Sequence, residues 1–176
     1  VDAKLIVRHA TLADAEGIAR VHTRSWQSAY RGIVSDDYLD ALAWEKRFEM
    51  WSGRLSSPEP TASNLFVATD VDGPVSGFAT IGPVRDDDLM SRDFFELYAI
   101  YVDPESWSRG VGKSLLDAAM ASVPSDIAGV SLWVLTANDR GRRFYQRQGF
   151  EHDGTNRMNH IGEHDLEEVR YVRVAS

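Results

Sequence analysis

The chain has 176 residues, 43% of them hydrophobic, enough for one globular domain (1–176) that removes about two-thirds of its unfolded surface from water. It contains no cysteine, which excludes disulfides, thiolate catalysis and cysteine-ligated zinc or iron–sulfur centres. A formal net charge of −8 argues against a nucleic-acid partner, whose binding needs a basic face, and suits a cationic small molecule or plain solubility.

No apolar run approaches the roughly 20 residues of a membrane span. The stretch "VDAKLIVRHA" lacks a signal peptide's apolar core, so a cytoplasmic location and no membrane partner are expected. "KLIVRHA" reads as a short strand, and "TLADAEGIARVHTRSWQSAY" as a helix with Thr11 at its N-cap. Ile18, Val21, His22, Ser25, Trp26 and Ala29 share one face of that helix. Ser35 caps a second helix that opens on Asp36 and Asp37 and runs on through Phe48, Trp51 and Leu55. "SSPEPTAS" is a loop on composition.

"NLFVATDVDGPVSGFATIG" reads as a β-hairpin turning at Asp72-Gly73, followed by an acidic loop, "PVRDDDLMSRD". "FFELYAIYV" is apolar on both faces apart from Glu96, as suits a central strand, and ends at Asp103-Pro104. Residues 109–121 form a helix with an apolar stripe of Val111, Leu115, Leu116, Ala119 and Met120. "VSLWVL" is a strand, and "NDRGRRFYQRQG" a helix capped by Asn138 and stopped by Gly149. Strand-like "FEHDGTNRM" and "DLEEVRYVRV" complete the chain. No repeat or linker divides it.

The stretch "WSRGVGKSLL" follows a strand and opens a helix, where backbone N–H groups converge on phosphate. Its Gly-Lys-Ser invites a P-loop reading. That motif requires a glycine five residues before Gly112, where Trp107 stands. The strand that should end in a magnesium-holding aspartate ends in Thr136-Ala137-Asn138 instead. A pyrophosphate bound without magnesium suggests coenzyme A, and an ordinary glycine-containing turn is the plain alternative.

"ELYAIYVDPESWSRGVGKSLL" together with "LWVLTANDRGRRFYQRQGF" resembles the two central motifs of the GNAT superfamily, the acetyl-CoA-dependent N-acetyltransferases. The likeness covers residues 96–150. Gly110 and Gly112 match the family's Q/R-x-x-G-x-G/A loop, with Trp107 in place of Gln or Arg, and Asn138, Phe144-Tyr145 and Gly149-Phe150 match its second motif. "RSWQSAYRGIVSDDYL" is similar to the N-terminal helices of a bacterial subgroup whose acceptors are often unassigned. The resemblance implies a three-layer α/β fold, with a mixed, mostly antiparallel sheet of about seven strands flanked by about four helices. It also implies acetyl-CoA as cosubstrate and no metal.

By this resemblance, Ile100, Tyr101 and Val102 offer backbone groups to the pantetheine arm, and the Val102 N–H polarises the thioester carbonyl. Ser108, Arg109, Gly110, Val111, Gly112, Lys113 and Ser114 form the phosphate loop, with Asn138, Arg143 and Phe144 beside it. The cluster Arg140, Arg142, Arg143 and Arg147 either faces solvent or receives the 3′-phosphate. Tyr145 is the expected general acid, since a phenol with a pKa of about 10 can protonate a thiolate. Glu96 is the expected general base or substrate contact. Strict alternation puts it on one face with Tyr98, Ile100 and Val102. Trp26 and Tyr30, one turn apart, wall an acceptor pocket or pack in the core.

His160 and His164 are spaced four apart, but the glycine between them indicates a hairpin turn, and no metal is expected. His22 is expected at a helix–core margin. The chemistry so implied is acetyl transfer to a primary amine of a small molecule by direct attack, and a non-catalytic acyl-CoA-binding module is the alternative. Acidic residues at 86–88 and at Glu163, Asp165, Glu167 and Glu168 would suit a polyamine or aminoglycoside if they border the pocket. A small amino acid or a peptide N-terminus is also open. Trp107 and the edge strands are candidates for a homodimer contact.

Overall fold

The structure is a computed structural model that describes residues 5–57, 64–71 and 73–175. Most of the loop expected at 56–63, and Asp72 of the expected hairpin turn, lie outside them. Seven strands form one sheet: β1 (Ile6–His9), β2 (Asn64–Thr69), β3 (Val75–Pro83), β4 (Phe94–Val102), β5 (Gly129–Leu135), β6 (Glu151–Ile161) and β7 (His164–Val174). Their order is β1-β2-β3-β4-β5-β7-β6, and every neighbouring pair is antiparallel except β4 and β5.

Helices cover both faces of the sheet, as the resemblance implies. α1 (Ala15–Ala29) and α3 (Trp44–Ser56) pack on one face through Ile18, Ala19, Val21 and Trp51 against Leu65, Val67 and Phe78. α5 (Val111–Ala121) lies on the other, where Val111, Leu115, Leu116 and Ala119 meet Phe66, Ala68, Ala79 and Ile81. Leu115 and Leu116 are essentially fully buried, each contributing about 2 kcal/mol relative to exposure. α6 (Asp139–Arg147) joins this face through Phe144 and Tyr145.

The single second helix read from the sequence is two. α2 (Asp36–Asp40), capped as expected by the Ser35 hydroxyl accepting from the Tyr38 N–H, ends before α3 begins at Trp44. Leu39 turns into a cluster with Tyr30, Val34, Leu135 and Ile161, whereas Trp51 goes under α1. One straight helix would not serve both clusters. The acidic loop holds a further single-turn helix, α4 (Asp87–Met90), pinned by the buried Leu89.

Two features of β4 open the sheet. It pairs with β5 only over Phe94–Glu96, opposite Gly129–Ser131, and beyond that point the parallel strands separate. Its register with β3 also shifts, from Ile81 opposite Leu97 to Thr80 opposite Ala99, which leaves Tyr98 as an extra residue. Such a bulge bends and twists its strand, and it swaps the faces of the residues that follow. Phe95 and Leu97 before it, and Ile100 and Val102 after it, all pack on the α5 side, while Ala99 and Tyr101 face α1 and α3. Glu96 therefore does not share a face with Ile100 and Val102, and the strict alternation read from the sequence is corrected here.

Candidate active site

The divergence of β4 from β5 leaves a cleft of about 820 Å³, running from the glycine-rich loop before α5 to the point where the two strands rejoin. The backbone of β4 is aimed into it. The Asp103 N–H donates to the Ser76 carbonyl at 2.8 Å, so Asp103 faces β3. Successive residues of a strand alternate in direction, so Ile100 and Val102 turn their N–H groups toward the cleft. The Val102 carbonyl, facing the same way, accepts from the Ser25 hydroxyl and the Trp107 indole N–H, each at 2.9 Å.

The loop supplies the other donors. Ser108 (φ 63°) and Gly110 (φ 83°) both adopt left-handed backbone, which folds the chain back over the start of α5. Helical bonding begins with the Ser114 N–H to the Gly110 carbonyl, leaving the amides of Val111, Gly112 and Lys113 ahead of it at the positive end of the helix. Gly112 sits against Phe144 and Val102, where an added Cβ would make ordinary contacts at 3.5 and 3.6 Å. Around this mouth stand Lys113, Arg140, Arg143 and Arg147. The Arg140 guanidinium covers the Trp107 ring at 3.7 Å. A diphosphate and its flanking phosphate would meet backbone amides, a helix terminus and these cations together, so the residues present fit coenzyme A.

Aromatic side chains line the middle of the cleft. Tyr145, between Phe144 and Phe150, has its phenol pushed well above the ordinary value, chiefly by burial and secondarily by Tyr101. Tyr30 and Tyr101 are raised by burial as well, with their hydroxyls facing each other. Trp26 stands edge-on to Tyr30 at 4.8 Å; its buried indole N–H faces Tyr101 but makes no hydrogen bond among the described residues. His22 lies behind this wall, stacked 5.0 Å from Tyr101 and accepting at Nδ1 from the Trp51 indole, a half-buried position at the helix–core margin, as expected.

Where the strands rejoin, two carboxylates border the cleft, each tied to an arginine. Glu96, 1% exposed, accepts from the Arg85 backbone N–H at 3.0 Å, from its Nε at 3.1 Å and from its Nη2. Glu168, 8% exposed, accepts from Arg157 Nε at 2.7 Å and from Asn159 at 3.1 Å. Four of the other acidic residues noted in the sequence are engaged elsewhere and do not line the cleft. Asp86 and Asp88 hold the buried Arg170, Glu167 binds Thr136 and Asn156, and Asp165 binds His160. His160 and His164 flank a turn whose Gly162 has φ 61°, as the glycine between them indicated. Among the described residues, no cluster of metal-ligating side chains is found.

The cleft thus brings together Trp26, Tyr30, Glu96, Ile100, Tyr101, Val102, Ser108, Gly110, Val111, Gly112, Lys113, Asn138, Arg143, Phe144 and Tyr145. Two expected members do not reach it. Arg109 points to a small hollow lined by Asp70 and Ser76, and Ser114 is spent in the first turn of α5. Asn138 contributes mainly as a cap: its side chain accepts from the Gly141 N–H at 3.0 Å. Arg142 is turned inward to the Thr136 carbonyl and the Tyr171 hydroxyl. Arg140, Arg143 and Arg147 of the expected arginine cluster line the cleft, and so do Arg85, Arg157 and Trp133, which the sequence did not single out. Helical spacing would have separated Arg140, Arg143 and Arg147, at i, i+3 and i+7, from Arg142. The arginines of the far end carry no such local signal.

Comparison with known proteins agrees with this geometry. A family model for the acetyltransferase (GNAT) domain matches residues 61–152. The uncharacterised N-acetyltransferase YuaI of Bacillus subtilis is 35% identical over 133 residues, covering 75% of this chain and 72% of the relative. A spermidine N(1)-acetyltransferase of Thermoplasma acidophilum is 26% identical over 163 residues, or 92% of this chain and 97% of the relative. The crystal structure of the PaiA N-acetyltransferase of Thermoplasma acidophilum, in complex with coenzyme A, superposes with a TM-score of 0.73. It covers 97% of this chain and 99% of that one at 24% identity, a likeness that establishes the shared fold. The chain belongs to the GNAT family and is an acetyl-CoA-dependent N-acetyltransferase.

Proposed function

We propose that this chain moves an acetyl group from acetyl-CoA to the primary amine of a small molecule, by direct attack while both are bound. The observation that carries the reading is the continuity of one cleft, from the amides at the start of α5, past Tyr145, to the polar end at Glu96 and Glu168. Acetyl-CoA supplies an activated acyl group as its thioester. The amides of Val111, Gly112 and Lys113, with Arg140, Arg143 and Arg147, would hold its phosphates. The cleft-facing amides of Ile100 and Val102 would orient the pantetheine arm, and the Val102 N–H would stabilise negative charge developing on the carbonyl oxygen.

Tyr145 is assigned the acid role. Burial keeps its phenol protonated, so a proton is available for the departing thiolate. Glu96 belongs to the acceptor end rather than acting as a free base, because Arg85 already occupies its carboxylate. The Glu168 carboxylate is held likewise. The neutral fraction of the amine then supplies the nucleophile, and the rate rises with pH through the amine's own titration. Trp26, Tyr30 and Tyr101 wall the acceptor's approach. The whole assembly is read as one domain. Incubating the protein with acetyl-CoA and a panel of primary amines tests the proposal: thiol release matched by formation of the N-acetylated product of one amine supports it. Acetyl-CoA binding without transfer to any amine would favour a binding module.

A further inference from the structure

The acceptor end of the cleft presents cations, not carboxylates. Both oxygens of Glu96 and both of Glu168 are already engaged, by Arg85 in the first case and by Arg157 and Asn159 in the second. These carboxylates are buried, while the side chains of Arg85 and Arg157 are 62% and 41% exposed and line the cleft. Each guanidinium lies over an aromatic ring: Arg85 at 4.4 Å from the Tyr98 centroid, Arg157 at 4.1 Å from that of Trp133. The rings are themselves anchored. The Tyr98 hydroxyl donates to the Pro83 carbonyl, and the Trp133 indole donates to Asp86 at 2.9 Å. Arg157 uses only Nε in its ion pair and Arg85 only Nε and Nη2, so Nη1 of Arg85 and both Nη groups of Arg157 make no hydrogen bond among the described residues.

Two planar forks, fixed by ion pairing and stacking and with donors left over, are prepared to receive an anion at little further cost in side-chain entropy. A cationic polyamine entering the same space would find its potential carboxylate partners occupied and the guanidinium groups in its way. We infer that the acceptor is an amine that also carries a carboxylate, an amino acid or a compound of that kind. Its carboxylate would rest on Arg85 and Arg157 while its amine is directed at the thioester near Tyr145. This deepens the proposed function and rests on it.

Matched pairs of acceptors test the inference: ornithine with putrescine, lysine with cadaverine, phenylalanine with phenethylamine, and spermidine alongside. Each is assayed with acetyl-CoA for thiol release and acetylated product. The expected result is that a carboxylate-bearing member is acetylated with a kcat/KM at least about tenfold above its decarboxylated partner, the weight of one charge-assisted contact. Removing Arg157 alone would strand a buried Glu168, so the balanced variant Arg157→Gln/Glu168→Gln is used. In it the preference falls to within about threefold while the Kd for acetyl-CoA is unchanged. Preference for the decarboxylated members or for spermidine overturns the inference. So does a protein that binds acetyl-CoA but acetylates no carboxylate-bearing amine, or an unchanged preference in the double variant. Failure to bind acetyl-CoA at all would instead remove the proposed function, and this inference with it.

Discussion

The Arg140 guanidinium lies 3.7 Å over the Trp107 indole, whose N–H in turn donates to the Val102 carbonyl at 2.9 Å. A residue that breaks the family's loop pattern is thereby built into the cleft. It joins the end of β4, the phosphate loop and the first turn of α6. Trp107→Ala removes the stacking surface that holds Arg140 at the mouth. An interaction of this type is worth about 0.5–2 kcal/mol, so the Kd for acetyl-CoA should rise roughly 2- to 30-fold. Calorimetric titration of wild type and variant measures it directly.

Tyr145→Phe separates binding from proton transfer. The phenyl ring keeps the packing against Phe144 and Phe150, so thermal stability and the Kd for acetyl-CoA should stay close to wild type. kcat should fall about 100-fold or more, the usual weight of a general acid. Burial raises the Tyr145 pKa, so the donating form persists to higher pH than for a free phenol. The wild-type kcat–pH profile should accordingly show no descending limb below about pH 10.

Gly77 sets how closely α5 approaches the sheet. A Cβ at this position would lie 2.9 Å from Leu115 Cδ1, 3.0 Å from the Tyr101 carbonyl and 3.1 Å from Val111 Cγ1. Gly77→Ala must therefore push the start of α5 away from β4, where the loop amides and the Val102 N–H converge. Destabilisation of about 1–3 kcal/mol is expected from urea unfolding, together with weaker acetyl-CoA binding. A variant of undiminished stability would mean that the packing of α5 on β3 is looser than described.

His22 should make the protein sensitive to acid. Burial, followed by the charge of Arg47, lowers its pKa from 6.5 to about 3. A group depressed in the folded state stabilises above its unfolded pKa and loses that contribution as pH falls. Stability should therefore decline from about pH 6.5 down toward pH 3, at up to about 1.4 kcal/mol per pH unit from this residue. Unfolding by urea at pH 7, 5.5 and 4.5 checks it: the gap between wild type and His22→Asn should narrow as the pH drops.

Local signals in the sequence were enough to locate much of this site. Asn138 at a helix start, Gly149 at its end, and the two glycines before an apolar helical stripe each report backbone geometry that few other residues allow. The seven strands and the chain order of the major elements were legible for the same reason. The faces of β4 were not. The bulge at Tyr98 arises from pairing with β3, and it reverses which residues meet the α5 side. Nor were the charges of the far end. Arg85–Glu96 and Arg157–Glu168 are each separated by eleven residues and become neighbours only through strand pairing. The acidic run at 86–88 looked like a place for a cationic ligand because its partner, Arg170, lies more than eighty residues away in sequence.

Every role assigned above depends on one cleft that serves coenzyme A at its mouth. Calorimetric titration of the purified protein with acetyl-CoA, with ATP and magnesium as the control, tests this most directly. Micromolar binding of acetyl-CoA, weakened by Trp107→Ala and absent for ATP, is the predicted result. Silence with acetyl-CoA, or tighter binding of ATP, would contradict the assignment of the loop and of every role derived from it.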